Sequence, residues 1–392
     1  MKTITKQLLV YFFYISYVGF SFSQNYNIYS DFPTGNIFIE KIKNDTIWLK
    51  PDLRDTEGDW FYWCFGMENA KDKKITFVFP NSNLFTSKGP AVSYDYGYKW
   101  EWLYPDRINF NSNSFTYRFK SNDEVRFSMG MPYSEYHFNT FIENYLNHPA
   151  LKKDTLTITK GGRTIERVTI MSNSKDVNRK VLFTARHHAC EIMANYVMEG
   201  IIEEVLKNDD LRNGIEYCFI PFIDKDGVEN GDQGKKRIPR DHNRDYSGDA
   251  IYNSTSALKK WVPEWANGKN IQAIDLHCPW IRGSKDHEYI HLVGSENSKI
   301  AEKQEVLYQL LSKTNKGELK ISERFIYPFG NGWNNGQNYT EGATFIKWIS
   351  SLDNTVLALT LEFPYSVNEK QTINQDNSRD FGRDIINALY NF

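Results

Sequence analysis

His188 and Glu191 stand three positions apart, just after the apolar run Val181-Leu182-Phe183-Thr184. A histidine and a glutamate at that interval converge on one cation if a turn aims them together, and zinc accepts both at about 2.0–2.2 Å. His277 ends a second apolar run, Ile271-Gln272-Ala273-Ile274-Asp275-Leu276. It would complete a His₂Glu set, and three protein ligands plus a water is how catalytic zinc is held. Counting alone allows His187 as well as His188. Glu362 ends a third run, Val356–Leu361. A carboxylate there is costly unless it is paired or at work, and beside a zinc-bound water it becomes a general base.

Asn243 and Arg244 lie side by side in the polar stretch Asp241–Tyr246. An amide and a guanidinium so placed can fork onto a carboxylate. Each signal has a plainer reading: a hydrogen-bonded core histidine, a surface glutamate, a solvated charge run. Two other motifs fail outright. Asp224-Lys225-Asp226-Gly227 has its glycine too early for a calcium loop and lacks the terminal glutamate. Gly330-Asn331-Gly332 lacks the third glycine of a dinucleotide fingerprint.

The elements that must position these residues are short apolar runs alternating with helical patterns. Strands are predicted over 167–170, 181–184, 216–223, 271–276 and 356–361, and helices over 136–146, 191–206, 298–311 and 379–389. Such alternation predicts an α/β domain with a mixed, mostly parallel sheet flanked by helices, whose ligands bind at the carboxyl ends of strands. Residues 25–127 read differently. Ile75-Thr76-Phe77-Val78-Phe79 and Ser114-Phe115-Thr116-Tyr117-Arg118-Phe119 are β-branched and aromatic runs between turn residues. They predict an antiparallel all-β sandwich ahead of the α/β domain. The expected division is a signal peptide over 1–23, a sandwich over 24–127 and a catalytic domain over 128–392.

The chain has 392 residues, 40% of them hydrophobic, which excludes disorder. Its 47 basic and 49 acidic residues give a net charge of −2 and no electrostatic case for a nucleic-acid partner. Lys2 and Lys6, the apolar run Leu8–Phe20 and the small residues Ser21 and Ser23 have the layout of a secretory signal peptide. The run is short for a membrane span, which needs about 20 residues, so a secreted or periplasmic protein without a span is expected. Cys64, Cys190, Cys218 and Cys278 are irregularly spaced. Buried free thiols or one incidental bridge are expected rather than a disulfide framework.

Taken in order, the motifs resemble the zinc metallocarboxypeptidases. Arg186-His187-His188-Ala189-Cys190-Glu191 resembles the family's RxHPGE, and Pro221–Val228 its PxxNPDGV. Asp241–Tyr246 is similar to DLNRNW, Ile274–Cys278 to xDxHG, and Thr360–Pro364 to TxELP. Asp59–Phe65 and Met131-Pro132-Tyr133 resemble segments of the cytosolic carboxypeptidase subgroup, in which a β-sandwich precedes the catalytic domain. The resemblance implies one zinc ion per chain on His188, Glu191 and His277, with Glu362 as general base. It implies an oxyanion arginine at Arg237, with Arg240 behind it, and a carboxylate clamp of Asn243, Arg244 and Tyr339. By interval from Tyr339 the side-chain selective position is Ile346, which favours an apolar residue; a shift of one gives Lys347 and an acidic residue. The implied substrates are peptide or protein C-termini. An amidohydrolase of small N-acyl amino acids or cell-wall peptides, and a non-catalytic glycan- or peptide-binding protein, are the alternatives.

Overall fold

A computed structural model describes residues 26–283 and 287–392, so the leader-like segment lies outside the described residues. The chain first forms two five-stranded sheets. One has the order Asn27–Tyr29, Cys64–Glu68, Val125–Ser128, Ala91–Ser93, Glu101–Trp102. The other has the order Phe38–Lys43, Thr46–Lys50, Lys74–Val78, Ser114–Arg118, Ile108–Asn109. Alternation along Lys74–Val78 turns Ile75 and Phe77 inward. There Phe77 meets Phe65 of the facing sheet at 5.1 Å and Phe115 of its own at 4.9 Å between ring centroids. The aromatic load of this region is therefore mostly sandwich core. One pair departs from the antiparallel expectation: Thr46–Trp48 runs parallel to Thr76–Val78. The intervening chain crosses to the other sheet as Cys64–Glu68 and returns to the same end, which is how parallel partners are joined.

The second region is built on an eight-stranded sheet with the order Leu151–Ile158, Thr164–Ile170, Ile215–Ile220, Arg179–Ala185, Asn270–His277, Thr355–Glu362, His291–Val293, Ile326–Tyr327. The four strands from Ile215–Ile220 to Thr355–Glu362 are parallel neighbours. Their side chains feed two cores. Phe183, Phe219, Ile274 and Leu359 pack with helices Ala194–Lys207 and Gln375–Tyr390. Leu182, Ile220, Ala273 and Ala358 pack with Asn253–Ala266 and Phe345–Ile349. Burial on both faces explains why these strands read as near-continuous apolar runs. Register pairs Ala185 with Leu276 and His277 with Glu362, so three adjacent strands end together at one edge.

Local departures have local causes. The Ile215–Ile220 strand stops before the expected residue 223 because Pro221 cannot donate to the ladder. The helix expected from Glu191 begins at Ala194, because residues 188–193 form the turn that carries His188 and Glu191. All four cysteines are buried and unbridged. Among the described residues no helix is long and apolar enough to cross a membrane.

The two regions are joined by hydrogen bonds of buried groups. Asn36 Nδ2 donates to Gly231 O at 2.7 Å, and Gln233 exchanges two 2.8 Å bonds with the Tyr62 backbone. His137 of helix Glu135–Glu143 is a third link: Nδ1 accepts from the Ser134 N–H at 3.1 Å and Nε2 donates to Gly97 O at 2.8 Å. Burial pushes its pKa down to about 4; Arg186 and Arg379 push the same way, while Gly97 O and Asp95 oppose them. The unfolded chain protonates this ring near pH 6.5 and the folded one near pH 4, so the unfolded state binds the extra proton between those values. Stability is expected to fall as the pH drops through that window, by about 3 kcal/mol in all from this group. Urea midpoints at pH 7, 5.5 and 4 measure it. His137→Gln should flatten the His137 part of the slope, and an unchanged slope would assign it to other groups.

Candidate metal centre and substrate cleft

The turn after Arg179–Ala185 is set by Arg186. Its φ of 60° is left-handed, a conformation that costs a non-glycine residue about 1–3 kcal/mol. Its buried guanidinium offsets that cost by donating from Nη1 to Tyr133 O and Asn195 Oδ1, each at 2.9 Å, and from Nε to Ala189 O at 3.1 Å. The reversal sends His187 and His188 different ways. His187 goes into the core, with Nδ1 2.8 Å from Asp275 Oδ1 and Nε2 2.7 Å from the Tyr246 hydroxyl. His188 goes to the strand ends, where it meets Glu191 and His277.

His188, Glu191 and His277 place ligand atoms within 4.8 Å of one another. His188 Nδ1 is 2.9 Å from Glu191 Oε1, and His277 Nδ1 is 2.7 Å from Glu191 Oε2. Each ring turns its other nitrogen to a carboxylate: His188 Nε2 to Asp241 Oδ2 at 3.1 Å, His277 Nε2 to Asp275 Oδ2 at 2.6 Å. Such outer carboxylates fix the tautomer and raise the basicity of the inward nitrogen. Burial alone would raise the Glu191 carboxyl, but the charges of Lys235, His277 and His188 outweigh it and hold the group well below the usual carboxylate range. Glu191 Oε2 is buried without an aligned hydrogen-bond donor. A second cluster of His187, Asp275 and His277 shares one ring with this set. There Asp275 also accepts from Thr184 Oγ1 at 2.7 Å, so it serves as the support of His277.

Glu362 lies beside this set, on the strand paired with that of His277. Burial pushes its carboxyl up to about 6; His277 pulls it down and Glu191 pushes it up. Its Oε2 is buried with no hydrogen-bond partner. The group is thus largely buried at the cleft wall with one oxygen uncommitted.

His188, Glu191, His277 and Glu362 line one cleft of about 700 Å³, as do Asn243, Arg244, Tyr339 and Ile346. Asn243 accepts the Phe345 N–H on Oδ1 at 2.9 Å, which leaves its amide nitrogen toward His277 Nε2 at 3.4 Å. Arg244 donates to Asn243 O at 2.9 Å and Asn338 O at 3.2 Å, with the Tyr339 ring 5.9 Å away. Tyr339 donates its hydroxyl to Asn334 Oδ1 at 3.0 Å. Lys347 lines the cleft beside Ile346.

Sequence and fold comparisons agree on what this arrangement is similar to. No family model matches the sequence. Cytosolic carboxypeptidase 6 of Caenorhabditis elegans is 28% identical over 283 residues, 64% of this chain and 61% of that protein. Cytosolic carboxypeptidase 3 of Bos taurus is 26% identical over 213 residues, 49% of this chain and 20% of that one. The chain thus spans less than two thirds of these curated relatives. A metallo-carboxypeptidase from Burkholderia cenocepacia superposes with a TM-score of 0.74 over 93% of this chain and 98% of that chain, at 19% identity. A metallo-carboxypeptidase from Pseudomonas aeruginosa, solved with (2-guanidinoethylmercapto)succinic acid, gives 0.73 over the same shares, at 18% identity.

The chain resembles the zinc carboxypeptidases in sequence and shares the fold of solved metallo-carboxypeptidases.

Within that family layout, Arg237 is placed apart from the cleft. Nη2 donates to Asp232 Oδ2 at 2.7 Å, Nη1 pairs with Asp224, and Nε lies 2.7 Å from Asp55 Oδ2. Three carboxylates hold the guanidinium in an ion network under the sandwich. Arg240 is likewise engaged, by Asp245 Oδ1 at 2.7 Å and Asp249 O at 3.1 Å. The cleft instead holds residues that sequence reasoning passed over, Lys235 and Trp60. Lys235 lay in a stretch whose register was ambiguous. Trp60 lay inside Asp59–Phe65, quoted only for its resemblance, and it reaches out of the sandwich to meet Trp280 at 5.2 Å. Asp241 and Asp275 sat inside quoted motifs, and a carboxylate two residues before a strand-end histidine was the available signal for the latter.

Proposed function

We propose that the protein is a metal-dependent hydrolase that removes the C-terminal residue of a peptide. The observation that carries this is the meeting of His188, Glu191 and His277 in a cleft that also holds Glu362 and Arg244. The donors fit one zinc ion: two imidazoles with their inward nitrogens supported from behind, and a carboxylate with a buried, unaligned oxygen. Zinc held there supplies Lewis acidity toward the scissile carbonyl and lowers the pKa of water toward ~7.

The chain's own residues do the rest. Arg244 and the Asn243 amide bind the terminal carboxylate and set the last peptide bond over the centre, with Tyr339 closing that end. Glu362 takes a proton from the attacking water, whose oxygen bonds to the carbonyl carbon. As the C–N bond breaks, Glu362 returns the proton to the departing nitrogen, leaving a shortened carboxylate and a free amino acid. The lining offers Ile346 for an apolar terminal side chain and Lys347 for an acidic one.

Peptides with free and amidated C-termini, N-acyl amino acids and a zinc assay test this reading. One zinc per chain is expected, with release of the last residue from free acids, about 100-fold slower release from amides, and none after chelation. Turnover confined to N-acyl amino acids would give the amidohydrolase. Stoichiometric zinc without hydrolysis would give the binding protein.

A further inference from the structure

We propose that Lys235 is the cation that stabilises the oxyanion of the scissile carbonyl, an inference that rests on the hydrolase reading. The resemblance gives that task to an arginine, and neither candidate reaches it. Arg237 is spent on Asp55, Asp224 and Asp232, and Arg240 on Asp245. Among the described cations that line the cleft, Arg244 is anchored by Asn243 O and Asn338 O at the carboxylate end, and Lys236 and Lys347 are exposed. Lys235 alone stands at the metal ligands, with Nζ 2.7 Å from Glu191 Oε1 and its side chain 17% exposed.

The backbone under Lys235 is built for close approach. Gly234 has a φ of 80°, and a Cβ there would meet the Ala189 nitrogen at 2.3 Å, so only glycine lets this loop lie on the His188–Glu191 turn. The Cys190 N–H donates to Gln233 O at 3.0 Å, and the Gln233 amide is held by Tyr62 of the sandwich. The Trp60 ring lies 5.6 Å from Nζ. The loop is thereby pinned on both sides, by the turn that bears two ligands and by the sandwich. Its ammonium needs little reorganisation when negative charge develops on the carbonyl oxygen next to it, and that preorganisation makes such donors effective. The sandwich thus acts in the chemistry by placing this cation.

Lys235→Met and Lys235→Arg, both zinc-loaded, test the inference. Three quantities are measured: kcat and KM on a free-acid peptide, zinc affinity by chelator competition, and binding of a phosphinic peptide against the product peptide by calorimetry. Lys235→Met is expected to lose about 10²–10³-fold in kcat, with zinc affinity no weaker. Its phosphinic peptide affinity should fall by a similar factor while product affinity holds, since the charge acts on the tetrahedral oxyanion. Lys235→Arg should recover part of both losses. Unchanged kcat, or zinc affinity falling in step with kcat, would overturn the assignment. A wild type without turnover overturns the hydrolase reading and this inference together. An active wild type beside an equally fast Lys235→Met overturns this inference alone.

Discussion

Glu362→Gln is expected to lower kcat by about 10³–10⁴-fold, the upper part of the range for a general acid–base group, while zinc stays bound. The amide fills the same volume but cannot take a proton from water or return it to nitrogen. The structure separates this loss from a structural one. Glu362 is outside the His188, Glu191 and His277 set, and its Oε2 has no hydrogen-bond partner to forfeit. Zinc content by elemental analysis and Tm should match the wild type, and KM should move little because Arg244 and Asn243 are untouched. If zinc is lost with activity, Glu362 is a ligand. If turnover survives, the water's proton goes elsewhere and the mechanism above is wrong.

The strand-end residues were legible because their strands are buried on both faces. Val181–Thr184, Ile271–Leu276 and Val356–Leu361 stand out as apolar runs, so a polar residue at the end of each stands out too. Two elements that present one face to solvent were missed. Leu151–Ile158 (LKKDTLTI) is an edge strand with little burial, and Asn253–Ala266 is a helix that carries Pro263. Partners brought from afar were also hidden. Asp55 comes from the sandwich to hold Arg237, and nothing local in residues 231–237 shows it. The position of Lys235 depends on a left-handed Gly234 lying against Ala189, a contact made only after both loops have folded. Motifs pointed to residues that the structure gathers in the cleft where a strand fixed the register, and to arginines outside it in the loop between Gly231 and Arg240.

Arg244→Ala should lower kcat/KM on free-acid peptides by about 100-fold and leave amidated peptides nearly unchanged. Truncating one partner of a desolvated charge pair costs about 2–5 kcal/mol, and each 1.4 kcal/mol is tenfold. The guanidinium has five N–H donors. The Asn243 and Asn338 carbonyls engage two of its nitrogens and fix its plane, which leaves further donors for a planar carboxylate. An amidated terminus offers no charge to that fork, so its smaller rate already lacks the interaction. The variant is therefore expected to bring the free acid down to the level of the amide, with zinc retained because no ligand contacts Arg244. A single ammonium lacks the paired geometry of the fork, so Arg244→Lys should recover charge attraction but only part of the rate. The free-acid to amide ratio decides the matter better than either rate alone, because damage to the metal centre lowers both together. A ratio that survives in Arg244→Ala would move carboxylate recognition to another cation of the cleft, and Lys347 beside Ile346 is placed to be tested next.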